Sequence, residues 1–375
     1  MLDIRAFTRR FTYARDMNIF TFQSRNTTDQ AIFYFSQMKV EALRGILPFI
    51  YPFTISGGRS KTHQETLLVK LEHDGFIGIG EAPAITYYNV NVPEMLLEVE
   101  TQKEFLEQNY NSNPINFYPY LQKAFPHNSF IRCAIDIAMW DLYGKIKAQT
   151  IYSLLGFTWK SPVLTDYTIG LDSIEAMIQK LKNNPWPMYK IKLGNENDIE
   201  IIETLRANTD KPFRVDANAA WSLNEAIERI NKLENLGVIL VEQPLTKDNY
   251  EEMKTLKKIS PIPLFADESC VLPTDVKICA NSFDGINIKL TKCGGITPAI
   301  SMVNEAKSLG LQIMMGNMND SSIGTAAIAQ FLPVLDHIDA DGPLLLQNDH
   351  ASGLIIENGN IHLSHEPGLG INSLF

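Results

Sequence analysis

Five short runs of β-forming residues, each ending at an ionisable side chain, recur at a nearly constant step. They are Tyr189-Lys190-Ile191-Lys192, Arg214-Val215-Asp216, Leu240-Val241-Glu242, Leu264-Phe265-Ala266-Asp267 and Ile286-Asn287-Ile288-Lys289. Their last residues lie 24, 26, 25 and 22 positions apart. One strand, one helix and two short loops occupy about that length. Parallel strands of successive βα units end on the same side of a sheet. Lys192, Asp216, Glu242, Asp267 and Lys289 are therefore expected to meet at one rim. Lys190 and Lys192 flank a single isoleucine, so on a strand they share a face. Two ammonium groups that close should lower the pKa of each other, and a lysine lowered in this way can serve as a base. On its own, the run from Tyr189 to Gly194 reads more readily as a solvated strand face.

The same period extends in both directions. Residues 165–170 read as a strand, followed by a helix over 173–182 and, after Lys192, another over 199–206. Ser222 and Glu225 form the pattern of a capping box, and that helix is expected to end at Gly237. Thr297-Pro298 opens a helix that stops near Gly310. Residues 312–316 and 337–342 supply a seventh and an eighth strand. Eight strands with seven helices between them make a compact α/β barrel over 161–341, with its site on the βα-loop face.

Residues 38–160 follow an α+β pattern. A strand over 65–71 turns at His73-Asp74-Gly75 and returns over 77–81. Before it lies a glycine-rich loop, 52–59, that carries Arg59. Ile131, Ala134, Ile135, Ala138, Met139 and Leu142 recur at helical spacing within 131–147. Residues 1–37 mix arginines with aromatics and lack periodicity. The functional chain is expected to start near Met38, with 1–37 an N-terminal extension or a mis-assigned start. The last stretch, 342–375, holds no further βα unit and is expected to return to the first domain. At 375 residues the chain has room for two domains. A net charge of −10 argues against a nucleic-acid partner. No apolar run approaches the ~18 residues of a membrane span. Four cysteines without a C-x-x-C pair point to reduced thiols in a cytoplasmic protein.

The chemistry follows from the rim charges. Three carboxylates in one place repel unless a cation sits among them, and hard oxygen ligands suit Mg²⁺. Zinc does not fit, because no histidine or cysteine falls at these positions. A carbonyl or carboxylate held there would lie between Lys192 and Lys289. That geometry suits removal of a proton from the adjacent carbon and its return on the other face.

The runs Lys190-Ile191-Lys192, Asp216-Ala217-Asn218, Glu242-Gln243-Pro244, Ala266-Asp267-Glu268-Ser269 and Asn287-Ile288-Lys289 resemble the enolase superfamily. More narrowly, they resemble its muconate-lactonising subgroup, with the likeness running from Met38 to the C-terminus. The resemblance implies a modified (β/α)7β TIM barrel, with an N-terminal α+β capping domain completed by the C-terminal segment. It implies that Asp216, Glu242 and Asp267 bind Mg²⁺, that Lys192 and Lys289 form the acid/base pair, and that Lys190 depresses the pKa of Lys192. Homo-oligomers are common in this family, and one is expected here.

Substrate choice rests on Asp339-Ala340-Asp341. The D-x-D pair resembles the mark of dipeptide epimerases, where it holds the α-ammonium of the dipeptide. Turn chemistry at Asp341-Gly342-Pro343 is the alternative. Arg59 resembles the arginine that pairs with an acidic side chain at the second position. Thr168, Gly316 and Met318 are further expected substrate contacts. The loop 86–91 departs from that of Ala-Glu epimerases and leaves the dipeptide open. The expected reaction is a two-base 1,1-proton transfer through an enolate, on L-Ala-D/L-Glu or a related dipeptide in murein peptide recycling. An o-succinylbenzoate synthase, an N-succinyl-amino-acid racemase or a muconate cycloisomerase would use the same frame. A non-catalytic binding protein that keeps the metal site is the reading from another class.

Overall fold

The computed structural model describes residues 11–14, 19–23, 30–34, 37–55, 59–158 and 163–375, with backbone only over 11–34 and 53–59. Within 1–37, three short strands, β1 (Phe11–Ala14), β2 (Ile19–Gln23) and β3 (Gln30–Tyr34), pair as an antiparallel meander. Strand pairing there was not anticipated, because aromatic and arginine residues break the period-2 alternation that marks a half-buried strand.

The next sheet is also antiparallel, with β4 (Lys39–Ile55), β5 (Arg59–His73) and β6 (Phe76–Pro83). The strands run further than their sequence signals. Most of the glycine-rich stretch expected as a loop is the end of this long hairpin, with Phe53 opposite Lys61 and a register shift after Pro48. Asp74 and Gly75 both take positive φ, 50° and 80°, as a two-residue hairpin turn requires. Helices α1 (Val92–Gln108), α2 (Pro114–Ala124), α3 (Ser129–Lys147) and α4 (Ile151–Leu154) follow.

Helix α3 is buried nearly all round because it serves two cores. Ile131, Ala134, Ile135, Ala138, Met139 and Leu142 face the first domain. Cys133, Ile137 and Trp140 join the core of the barrel. Its backbone lies directly on β6. A Cβ at Gly80 would come within 2.0 Å of the Ala134 carbonyl oxygen, and one at Gly78 within 2.1 Å of that of Ala138. Only glycine permits that approach.

The barrel comprises β7 (Tyr167–Ile169), β8 (Tyr189–Lys192), β9 (Phe213–Asp216), β10 (Val238–Glu242), β11 (Leu264–Ala266), β12 (Gly285–Ile288), β13 (Gln312–Gly316) and β14 (His337–Asp339). All neighbours pair in parallel and in chain order. A parallel bridge between Thr165 and Ile338 joins the first strand to the last. The outer layer is α5 (Ile174–Asn183), α6 (Asp198–Arg206), α7 (Leu223–Glu234), α8 (Tyr250–Ile259), α9 (Asp275–Cys279), α10 (Leu290–Cys293), α11 (Ile296–Ser308) and α12 (Ser322–Ala329). Both hydrogen bonds of the Ser222–Glu225 capping box are present. Helix α7 stops at Glu234, so Gly237, at φ 72°, turns the chain into β10 and does not cap the helix.

The segment after β14 ties back to the first sheet. Phe49 bridges Leu346, and the Gln347 amide donates to the Pro48 carbonyl oxygen at 2.8 Å. Thr150 bridges Gly368. The four cysteines are buried and unpaired. Among the described residues, no helix is long and apolar enough to cross a membrane.

Candidate active site

Parity along each barrel strand decides which side chains point inward, and register decides their height. Lys190 lies level with Arg214, and Lys192 with Asp216 and Glu242. Phe265 is paired with Glu242, which places Asp267 just above it at the mouth. Lower down, Leu240, Phe265 and Met314 plug the barrel with apolar side chains. Beside them, the buried Arg214 pairs with Asp166 at 2.8 Å, and in such buried surroundings charge interactions are stronger than in water.

Asp216, Glu242 and Asp267 are all buried and offer carboxylate oxygens within 4.8 Å of one another. Lysines close around them. Lys192 Nζ donates to Asp216 Oδ2 at 2.6 Å, and Lys289 Nζ to Asp267 Oδ2 at 2.8 Å. Lys190 Nζ lies 3.3 Å from Asp216 Oδ2, 2.8 Å from Glu242 Oε2 and 2.7 Å from Asp339 Oδ2. Lys192 leaves β8 and Lys289 follows β12, four positions apart in a ring of eight strands. The two amines therefore stand on opposite walls.

Burial disfavours the charge of Lys190, but Asp339, Glu242 and Asp216 together outweigh it and hold its pKa well above the ordinary value. This corrects the sequence argument for Lys190, whose pKa was expected to be lowered by the neighbouring amine. The sequence shows the neighbouring amine, whereas the three carboxylates arrive from other strands. Lys289 is raised for the same reason, with Asp267 and Glu242 overriding its burial. Asp216 is buried, yet Lys192 and Lys190 bring it down to about 2. Glu268 forms no ion pair within 4.0 Å among the described residues, and Lys289 and Lys292 pull on it only from further off. Burial first, then Asp267 and Asp216, push it up to about 8.

The backbone after the acids is strained in support of this arrangement. Asn218, Ala219 and Gln243 adopt positive φ of 44°, 62° and 36°. The Asn218 amide thereby donates to Asp216 Oδ1 at 2.9 Å. Gln243 Oε1 accepts from the amides of Asp267 and Ser269 at 3.0 and 3.1 Å. A fourth lysine escaped the sequence argument. Lys292 Nζ, fully enclosed, reaches Asp267 Oδ1 and its carbonyl oxygen, both at 2.5 Å, and the Asn287 carbonyl oxygen at 3.2 Å. Its signal was the three-residue step from Lys289, which α10 turns back toward the mouth.

A cavity of about 290 Å³ opens above these groups, on the scale of small-molecule sites. Thr168, Met318, Asp339 and Asp341 line it together with Lys190, Lys192 and Lys289. Asp341 Oδ2 accepts from the Thr168 amide at 2.6 Å, and Asn317 Nδ2 donates to Asp341 Oδ1 at 3.2 Å. Asp341 makes no side-chain cap on the turn that follows, so turn chemistry does not account for it. Burial and Asp339 push its pKa up to about 6. Gly316 sits elsewhere. A Cβ there would lie 2.8 Å from the Asn287 side chain, whose Nδ2 donates to Glu242 Oε1 at 2.8 Å. The absent side chain thus makes room for Asn287, and among the described residues Gly316 does not line the main cavity. The side chain of Arg59 lies outside the described residues.

Buried oxygen ligands converging at the mouth of a barrel, with amines on opposite walls, define a metal-assisted proton-transfer site. The donor set, three carboxylates with no sulfur or imidazole, fits a hard divalent cation. Comparison with known proteins supplies the family. Residues 173–373 match the family model of the enolase C-terminal domain-like proteins. Residues 44–156 match that of the mandelate racemase / muconate lactonizing enzyme N-terminal domain. The chain belongs to the enolase superfamily and is an isomerase of its mandelate racemase and muconate lactonizing branch. It is 43% identical to the L-Ala-D/L-amino acid epimerase of Flavobacterium johnsoniae, over 86% of this chain and 96% of that protein. The L-Ala-D/L-Glu epimerase of Bacillus subtilis, solved as a substrate-liganded complex, superposes with a TM-score of 0.85 at 28% identity, over 90% of this chain and 99% of that one. The dipeptide epimerase of Cytophaga hutchinsonii, complexed with Mg and D-Ala-L-Val, gives 0.84 at 26% identity, over 90% and 96% of the two chains.

Proposed function

We propose that this protein is a Mg²⁺-dependent dipeptide epimerase that inverts the α-carbon of the second residue, with L-Ala-D-Glu and L-Ala-L-Glu as leading substrates. The observation that carries the reading is the placement of Lys192 and Lys289 on opposite walls, either side of the three carboxylates. Asp216, Glu242 and Asp267 would hold the ion. When bound, Mg²⁺ supplies the positive charge that offsets the negative charge developing on a substrate carboxylate as its α-proton leaves. One lysine takes that proton at its Nζ, and the opposite ammonium returns one to the other face. Lys190, bonded to Asp216, Glu242 and Asp339 at once, is a fixed positive charge beside Lys192. Asp339 and Asp341, on the same cavity, would receive the α-ammonium of the dipeptide. That pair favours dipeptides over succinylated amino acids or muconate, which carry no ammonium group.

The domain boundaries that go with this reading are a capping domain over 38–160, a barrel over 161–341 and a closing segment over 342–375. The reading also includes assembly as a homo-oligomer and a place in the cytoplasm, recycling murein peptides. Four unpaired, buried thiols support the reducing compartment. The test is a dipeptide panel incubated in D₂O, read by mass-detected deuterium uptake and by loss of optical purity. Uptake at one α-position with inversion, abolished by chelation and restored by Mg²⁺, is expected. Exchange confined to succinylated amino acids would contradict the reading.

A further inference from the structure

First-domain residues of β5 and of the loop after β6 roof the cavity, and the barrel supplies its walls. On one wall stand Asp339 and Asp341, which have unequal partners. Asp339 Oδ2 takes the Lys190 ammonium at 2.7 Å, and Asp341 Oδ2 takes the Thr168 amide at 2.6 Å. The other oxygen of each carboxylate, Oδ1, is reached by Asn317, which also lines the cavity. Asn317 Nδ2 lies 3.2 Å from Asp341 Oδ1 and 3.5 Å from Asp339 Oδ1, and it donates to the Asp339 carbonyl oxygen at 3.0 Å. The Asn317 backbone amide donates to that same carbonyl at 2.9 Å. Its side-chain oxygen is used locally. Asn317 Oδ1 accepts from the Asn319 amide at 2.8 Å and closes a turn in which Asn319 takes a φ of 64°. The two ends of the Asn317 side chain therefore do separable things: the oxygen shapes the loop, and the nitrogen bridges the carboxylates.

Two buried carboxylates that face one cavity repel until a cation arrives. Asp339 has Lys190, whereas Asp341 has no cation within 4.0 Å among the described residues. The titratable groups that face Asp341 are Asp339 beside it and Asp166 and Tyr167 from the β7 side, and all three disfavour its charge. Only the Thr168 and Asn317 donors act in the other direction. We infer that Asn317 is a positioning residue, whose Nδ2 ties Asp339 to Asp341 and sets the spacing at which the pair receives a substrate ammonium. This rests on the epimerase reading and adds to it a residue that the reading does not use. A donor to a carboxylate favours the charged form, so Asn317 works against the burial and the Asp339 charge that push Asp341 up to about 6. Without it, Asp341 takes up its proton at a higher pH.

The experiment measures dissociation constants by calorimetry, in the full chain at saturating Mg²⁺. One ligand is the dipeptide turned over fastest in the D₂O panel, brought to epimeric equilibrium beforehand. The other is its desamino analogue, in which hydrogen replaces the ammonium group alone. The affinity advantage of the dipeptide over the analogue reads the ammonium contact. In Asn317→Ser the hydroxyl can still close the turn but is too short to bridge the carboxylates. That variant should lower the advantage about tenfold at pH 7, the scale of one hydrogen bond to a charged group, with little change for the analogue. Asn317→Thr repeats the test with a second short hydroxyl. As pH falls from about 7.5 to about 5.5, the wild-type advantage should shrink as Asp341 is protonated, and in both variants the decline should begin at higher pH. Equal weakening of both ligands, the result of a disturbed loop, overturns the inference. So does an advantage unmoved in both variants. A wild type that binds the two ligands alike overturns the ammonium site itself, and one that turns over no dipeptide overturns the epimerase reading.

Discussion

At the scale of residues, the site is a balance of buried charges in which most groups have more than one partner. Lys292 is the clearest example. Its ammonium, with no exposed surface, satisfies the Asp267 carboxylate, the Asp267 carbonyl and the Asn287 carbonyl together. Lys292→Met would leave a buried carboxylate one cation short. Removing one partner of a buried pair costs roughly 3–5 kcal/mol. The variant should therefore show a clearly lowered thermal midpoint without Mg²⁺, and an unchanged midpoint would mean that the contact contributes nothing. The rim acids and Lys192 and Lys289 were legible in the sequence because each ends a β-rich run at a regular step. Lys292 and Asn287 were not, since their role depends on which elements lie opposite. The pKa of Lys190 was misjudged for the same reason. Parity along β8 gave its direction, but its three carboxylates come from β9, β10 and β14.

At the scale of elements, α3 is the hinge pin of the fold. Its six-residue periodic face was readable, and that face packs into the core of the first domain. The opposite face, with Cys133, Ile137 and Trp140, was hidden because a helix apolar on both sides loses its amphipathic signal. Asp136 on the same helix accepts from the Thr297 amide at 2.8 Å and its hydroxyl at 2.7 Å, so it fastens the start of α11. Burial pushes its pKa up from 3.8 to about 7, against the pull of those hydrogen bonds. Between those values the folded chain keeps a proton that the unfolded chain has released. Stability from this group therefore falls as pH rises from about 4 to about 7 and levels off above. The penalty is on the order of 4 kcal/mol in full. Asp136→Asn should flatten the decline of the thermal midpoint between pH 5 and 7, roughly the upper part of that window. Parallel curves for variant and wild type would assign the pH dependence elsewhere.

At the scale of the whole molecule, the barrel supplies the chemistry and the first domain supplies the roof. The two are joined by specific bonds. Trp140 Nε1 donates to Thr297 Oγ1 at 2.9 Å, the Tyr118 hydroxyl donates to the Gly294 carbonyl oxygen at 3.1 Å, and the Ser321 amide donates to Glu81 Oε1 at 2.7 Å. The last of these anchors the loop after β13, where Met318 and Asn319 line the cavity. The α/β barrel was visible in the sequence as an eightfold period. The length of β4 and β5 was not, because the glycine-rich stretch from Pro52 read as a loop where the hairpin shifts register and continues.

The opposed lysines are the centre of the account, and separating proton exchange from inversion tests them most directly. Lys192→Ala and Lys289→Ala, with Mg²⁺ and D₂O, are each given the L,L and the L,D dipeptide, and α-proton exchange and epimerisation are followed together. Each variant should lose epimerisation by about a hundredfold or more. Each should still exchange the α-proton of one epimer, and the two variants should exchange opposite ones. Inversion at the wild-type rate in either variant, or exchange of the same epimer by both, would contradict a site with one base on each face.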